Sequence, residues 1–253
     1  MKSRYLTGDI RHFPHHRTIV YLPPNYERRP NRRYPVLYLQ DGQNVFDGET
    51  SFIRGQEWFV DETAEWMIRT GQIEPLIIAA IYNAGDARID EYTPSIDESL
   101  QRGGKADAYL HFLITEIKPF IDHQFRTRRS AINTAIGGSS LGGLLTLYAG
   151  LKHPNVFGKL AVMSPSLWWD QEMILKQIGA REQTLSQRIW LDIGTEEGTV
   201  VEKVRRLSSL FEERRQSFHY EEEPGAGHNE IAWSHRVGPM LKYLFPQRGL
   251  QTC

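Results

Sequence analysis

Short runs rich in β-branched and other apolar residues alternate with longer amphipathic segments along most of the 253-residue chain. Strands are expected over 18–22, 36–40, 76–81, 131–136, 160–163, 189–193 and 218–222, and helices over 57–69, 107–124, 141–152, 200–216 and 231–244. Most of the strand runs are almost wholly apolar, as strands covered on both faces must be. The pattern is that of a mostly parallel α/β sheet with helices on both faces, rather than a sandwich or a bundle. In the second helical segment Tyr109, Phe112, Leu113, Glu116, Ile117, Phe120 and Ile121 follow the i, i+3, i+4 rhythm, and Pro119 should bend it. Nothing repeats at a fixed period, so one domain over 1–253 is the economical reading.

Composition narrows the partners. With 30 Lys+Arg against 31 Asp+Glu, the formal charge is -1, which offers no bulk attraction for nucleic acid or an anionic membrane. The longest apolar run, 76–82, is far below the ~20 residues of a membrane span. The one cysteine, Cys253, allows no intrachain disulfide. With no apolar signal-like stretch in 1–20, a reducing, cytoplasmic setting is expected. Arg28–Arg29 and Arg32–Arg33 could bind phosphate, but a solvated face is the simpler reading. His12, His15 and His16 cluster without the spacing of a metal site, so a solvated turn is expected there.

The segment Gly138-Ser139-Ser140-Leu141-Gly142 matches G-x-S-x-G between an apolar strand and an apolar helix. A nucleophile on such a tight turn stands exposed, and side chains at the flanking glycines would collide with the neighbouring strand and helix. A match arises by accident in roughly one chain in ten of this length, so its place at the strand–turn–helix junction matters. The alternative, a phosphate cradle, is disfavoured because no G-x-G-x-x-G is present and no Lys follows the glycines.

A serine needs a base to remove its proton. His228, in the loop 223–230 before the last helix, is positioned to reach over the strand ends. The orienting acid is expected in the loop after the penultimate strand, where Glu197 is the choice and Glu196 and Asp192 remain as alternatives; these glutamates could instead only begin the next helix. Leu141 N–H and Gln43 N–H, the latter after the strand at 36–40, are the expected oxyanion donors. Oxyanion loop, serine, acid and histidine thus fall in the chain order of an α/β-hydrolase.

The stretches Tyr21-Leu-Pro-Pro-Asn-Tyr26, Pro35-Val-Leu-Tyr-Leu-Gln-Asp-Gly42, Glu91-Tyr-Thr-Pro94, Gly138-Ser-Ser-Leu-Gly-Gly143, Ser164-Pro-Ser-Leu-Trp-Trp169, Gly194-Thr-Glu-Glu197 and Gly227-His228 carry a resemblance. The chain resembles the esterase family of α/β-hydrolases that includes enterochelin esterases, feruloyl esterases and S-formylglutathione hydrolase. The resemblance implies a single α/β-hydrolase domain and a serine hydrolase with Ser140 as nucleophile, His228 as base and the acid in the Gly-Thr-Glu-Glu loop. It implies substrates ranging from siderophore trilactones to acyl sugars and thioesters.

Only about one helix fits between Ser164 and Ile189, so a small lid or none is expected. Trp168, Trp169, Tyr92, Phe46 and Trp58 are candidates to line an aryl or acyl pocket, and Arg88 to meet an anionic substrate group. The reading is a carboxylic ester hydrolase acting on a small-molecule ester through an acyl-enzyme, with no cofactor and no metal. Siderophore-lactone or feruloyl ester cleavage is the narrower alternative. An acyltransferase and a non-catalytic hydrolase-fold binding protein are the rivals.

Overall fold

The computed structural model describes residues 5–6, 16–181 and 183–247, so His12, His15 and Cys253 lie outside the described residues. The strands are β1 (Tyr5–Leu6), β2 (Thr18–Tyr21), β3 (Val36–Leu39), β4 (Ile77–Ile81), β5 (Ile96–Asp97), β6 (Arg102–Gly103), β7 (Thr134–Ser139), β8 (Lys159–Met163), β9 (Arg188–Gly194) and β10 (Phe218–Glu223). The helices are α1 (Val60–Arg69), α2 (Arg88–Tyr92), α3 (Ala106–Phe112), α4 (Lys118–Gln124), α5 (Leu141–Lys152), α6 (Trp169–Gly179), α7 (Val200–Glu213) and α8 (Glu230–Leu244).

Eight strands form one sheet in the order β1-β2-β4-β3-β7-β8-β9-β10, and β5 and β6 form a separate hairpin. From β4 to β10 every neighbouring pair is parallel; only β1 and β2 run against their neighbours. The sheet is therefore mostly parallel and carries helices on both faces, the α/β-hydrolase arrangement. The period of two in the strands sorts their side chains. Tyr38, Ile136, Val162 and Leu191 join the core under α3 to α7, while Leu37, Leu39, Ala135, Ala161 and Trp190 join the core under α1 and α8. Because the central strands are covered twice, β3, β4, β7 and β8 are buried along their whole length.

α5 runs through the middle of the first core and is buried from Leu141 to Gly150. Between α3 and α4 the helix widens into a π-turn at Leu113–Ile117, and Pro119 follows in the first turn of α4. A proline lacks the N–H for the i−4 carbonyl and its ring crowds that carbonyl, so a locally wider turn is the expected accommodation. Between β8 and β9 the described residues supply one helix, α6. At the far edge β10 pairs, among the described residues, only with β9, and its residues that meet solvent include His219, Glu221, Glu222 and Glu223. Among the described residues no helix is long and apolar enough to cross a membrane.

Candidate active site

β7 ends at Ser139 and α5 begins at Leu141, leaving Ser140 between them at φ 58, ψ -122, a conformation rare for any residue but glycine. Hydrogen bonds hold it there. Its N–H donates to the Met163 carbonyl at 3.1 Å, and its own carbonyl accepts from Leu144 N–H at 3.1 Å and Ser166 N–H at 3.0 Å. The Ser140 Oγ lies 3.2 Å from the Ser166 Oγ. A Cβ on Gly138 would stand 3.0 Å from the Gly142 backbone, but one on Gly142 would meet nothing nearer than 3.4 Å. The stricter demands fall outside the motif: a Cβ on Gly143 would be 2.8 Å from the Met163 carbonyl oxygen, and one on Gly137 2.6 Å from the Ala161 Cβ. Leu141 N–H stands at the first position of α5, where no intrahelical carbonyl can serve it.

After β3 the chain turns through Asp41, left-handed at φ 55, into a 3₁₀ turn at Gly42–Asn44. Gly42 lies so close to β4 that a Cβ would be 2.6 Å from the Ala80 carbonyl carbon. The Asp41 carboxylate is gripped by Arg88 through Nε and Nη2, both at 2.7 Å, and by Asn83 Nδ2 at 2.6 Å. The Gln43 carbonyl accepts from Thr50 Oγ1 at 2.7 Å, which ties the following loop back to the turn. Two of the five N–H donors of Arg88, on Nε and Nη2, are thus committed to Asp41 in a bidentate pair.

The aromatic expectations divide in the same way. Phe46, Trp58, Tyr92 and Trp169 are all buried core side chains and present no surface for a substrate. Trp58 packs edge-on against Trp233 at 5.9 Å, and Trp169 Nε1 donates to the Ser95 carbonyl at 3.0 Å. Trp168, 42% exposed, is the one of the five that meets solvent.

His228 precedes α8, whose start is fixed by the Asn229 side chain accepting Ala232 N–H at 3.0 Å. The His228 Nδ1 lies 2.6 Å from Glu197 Oε2, with the histidine side chain 43% exposed and the glutamate 1%. Burial pushes the Glu197 carboxyl up, but hydrogen bonds from His228, Ser164 and Gly194 outweigh it and hold the group below its ordinary range. An ionised carboxylate cannot donate, so the shared proton belongs to Nδ1, and in the neutral imidazole Nε2 is then the acceptor. Glu196 is exposed in the same loop. Asp192 is fully buried inside β9, where Arg236 Nη1 meets its Oδ1 at 2.5 Å and Trp190 Nε1 its Oδ2 at 2.6 Å. It is a structural acid, not a partner of His228 in any hydrogen bond of the described residues.

The Esterase family, described as Putative esterase, matches residues 14–244. The chain belongs to that family. It is an ester hydrolase. The esterase is 29% identical to the uncharacterized protein YbbA of Bacillus subtilis over 195 residues, which is 75% of this chain and 72% of YbbA. It is 29% identical to the ferri-bacillibactin esterase BesA of Bacillus subtilis over 163 residues, 58% of this chain and 53% of BesA. Among solved structures, the enterobactin esterase FES of Shigella flexneri in the presence of enterobactin shares the fold, with a TM-score of 0.74 and 22% identity over 90% of this chain and 54% of that one.

Residues that the sequence motifs of the esterase do not flag also shape this site. Arg236, 1% exposed, and Ser164, fully buried, stand behind Glu197. The available signal was an arginine on the apolar stripe Trp233, Val237, Met240 and Met240's neighbour Leu241, since a charge at such a position must find a buried partner. Elsewhere Glu57, Asp61 and Glu62, around the start of α1, bring their oxygens within 4.8 Å of one another, near enough to hold a cation. Burial first, then the Asp61 carboxyl, push Glu62 up to about 7.

Proposed function

We propose that the esterase is a serine hydrolase that forms an acyl-enzyme, with Ser140 as nucleophile, His228 as general base and Glu197 as the orienting acid. The observation that carries this reading is the 2.6 Å contact from His228 Nδ1 to a carboxylate held ionised. It leaves Nε2 as the only imidazole nitrogen able to take a proton. In the first step the Ser140 O–H proton passes to Nε2 as Oγ attacks the ester carbonyl carbon. The oxyanion that forms is stabilised by Leu141 N–H and Gln43 N–H, the first aided by the α5 dipole. Collapse breaks the bond to the alcohol, which leaves with the proton from Nε2. Water then repeats the sequence on the acyl-enzyme and releases the acid.

The substrate is a small-molecule ester with an aromatic or other flat group that can rest on Trp168. The kinship with a ferri-bacillibactin esterase supports a siderophore lactone as the narrower reading. The test is a panel of aryl esters, acylated sugars, thioesters and a catecholate trilactone, assayed with the native protein and Ser140→Ala. The variant should lose activity by up to ~10⁶ in kcat and lose labelling by a fluorophosphonate. Hydrolysis near the native rate by folded Ser140→Ala would sink the proposal.

A further inference from the structure

Every hydrogen-bonding site of the Ser164 hydroxyl is occupied, and its partners dictate which way its proton points. Trp233 Nε1 donates to Ser164 Oγ at 3.0 Å and Arg236 Nη1 donates to it at 3.1 Å. An indole N–H and a guanidinium can only donate, so both hydroxyl lone pairs are taken. The single Ser164 proton is therefore directed to the remaining neighbour, Glu197 Oε1, at 2.5 Å. The same carboxylate oxygen accepts Gly194 N–H at 2.8 Å. Oε1 is thereby filled, and Oε2 is kept for His228.

The backbone of Ser164 is held by hydrogen bonds to β9. Its N–H donates to the Asp192 carbonyl at 3.0 Å and lies 3.1 Å from Asp192 Oδ1, the oxygen that also pairs with Arg236. Its backbone is left-handed, at φ 39. The Trp233 indole that donates to Ser164 also meets the His228 ring edge-on at 4.9 Å, so one side chain touches both ends of the device.

We infer that Ser164, its proton aimed by Trp233 and Arg236, is a positioning residue that sets the rotamer and charge of Glu197 and through it the tautomer of His228. The inference rests on the proposed role of Glu197. The titratable and charged groups around that carboxylate are His228, Arg236 with Nη2 at 3.7 Å, and Asp192; Glu223 pairs with Arg236, and Glu230 on α8 interacts with His228 and Asp41. Without the hydroxyl, Glu197 loses one donor to its charged form and becomes easier to protonate.

The experiment compares native protein, Ser164→Gly, Ser164→Cys and Trp233→Phe in p-nitrophenyl acetate hydrolysis across pH, with folding checked by circular dichroism. Glycine suits the φ of 39, so Ser164→Gly removes the hydroxyl without adding backbone strain. In Ser164→Gly, kcat should fall on the order of 10- to 100-fold, the worth of one hydrogen bond to a charged group, with KM little changed. The acidic limb of its kcat/KM profile should move to higher pH. Ser164→Cys, with a weak S–H donor, should recover part of both effects, and Trp233→Phe should shift the limb the same way by less. A native limb in Ser164→Gly or in Trp233→Phe, or an equal loss at every pH, overturns the inference. Glu197→Gln separates it from the reading beneath: full activity in that variant would remove the triad acid itself, whereas an inactive Glu197→Gln beside an unaffected Ser164→Gly would remove only the role of Ser164.

Discussion

Ser140 occupies backbone space that costs a non-glycine residue on the order of 1–3 kcal/mol, and three backbone hydrogen bonds keep it there. Ser140→Gly should therefore be more stable than the native chain by about that amount in urea unfolding, while having no esterase activity. A Ser140→Gly protein less stable than native would show that the turn is not strained. The buried acids make the complementary point. Asp192 and Glu197 lie in consecutive parts of one strand-and-loop segment, and both are almost fully covered, yet only one of them faces an exposed imidazole. Asp192 neutralises Arg236 from inside the sheet. Charge type is common to the two; direction relative to the strand end separates them.

At the scale of elements, α1 carries a group that works against the fold. Glu62 has an ordinary carboxyl value of 4.5 and is pushed up to about 7 in the folded chain. The fold thus favours its protonated form: its contribution is fully present below the ordinary value and is lost as pH rises through that value toward 7. Glu62→Gln should melt like the native protein near pH 4 and higher than it at pH 8, in thermal scans across that range; equal melting temperatures at pH 8 would contradict the account. The sequence makes α5 legible to the residue, 141–152, because apolar content and the turn before it agree. β7 is less so. The apolar pattern places it at 131–136, whereas Ala131–Asn133 is a 3₁₀ turn and the strand runs Thr134–Ser139. Gly137 and Gly138 read locally as turn residues, but the close approach of Ala161 puts Gly137 inside the strand. The five-residue α2 and the β5–β6 hairpin leave no periodicity long enough to detect. Ser140 and His228 stand out as candidates because the residues around each, the G-x-S-x-G turn and the loop before the last helix, set them apart in the sequence. The aromatic candidates misled because sequence proximity to the site does not say which face of a loop is buried, and Arg236 stayed hidden because its partner Asp192 lies 44 residues away.

For the molecule as a whole, adjacent tryptophans separate function from stability. Trp168 is 42% exposed and Trp169 1%, with their ring centroids 5.6 Å apart. Trp168→Ala should raise KM for aryl esters several-fold with little change in melting temperature. Trp169→Ala should cost about 3–5 kcal/mol of stability, measured by urea unfolding; the reverse pattern would place the pocket on the wrong side of the loop. The far margin of the sheet shapes the molecule differently. Among the described residues β10 has no strand beyond it, and an edge of this kind is a template on which a second chain could extend the sheet and seed a fibril. Its border instead carries Glu222 clasped by Arg205 and Glu223 beside His235, bulky hydrated pairs that an incoming strand would have to strip of water. An added strand would meet those charged pairs before any backbone partner, so the edge itself disfavours extension of the sheet.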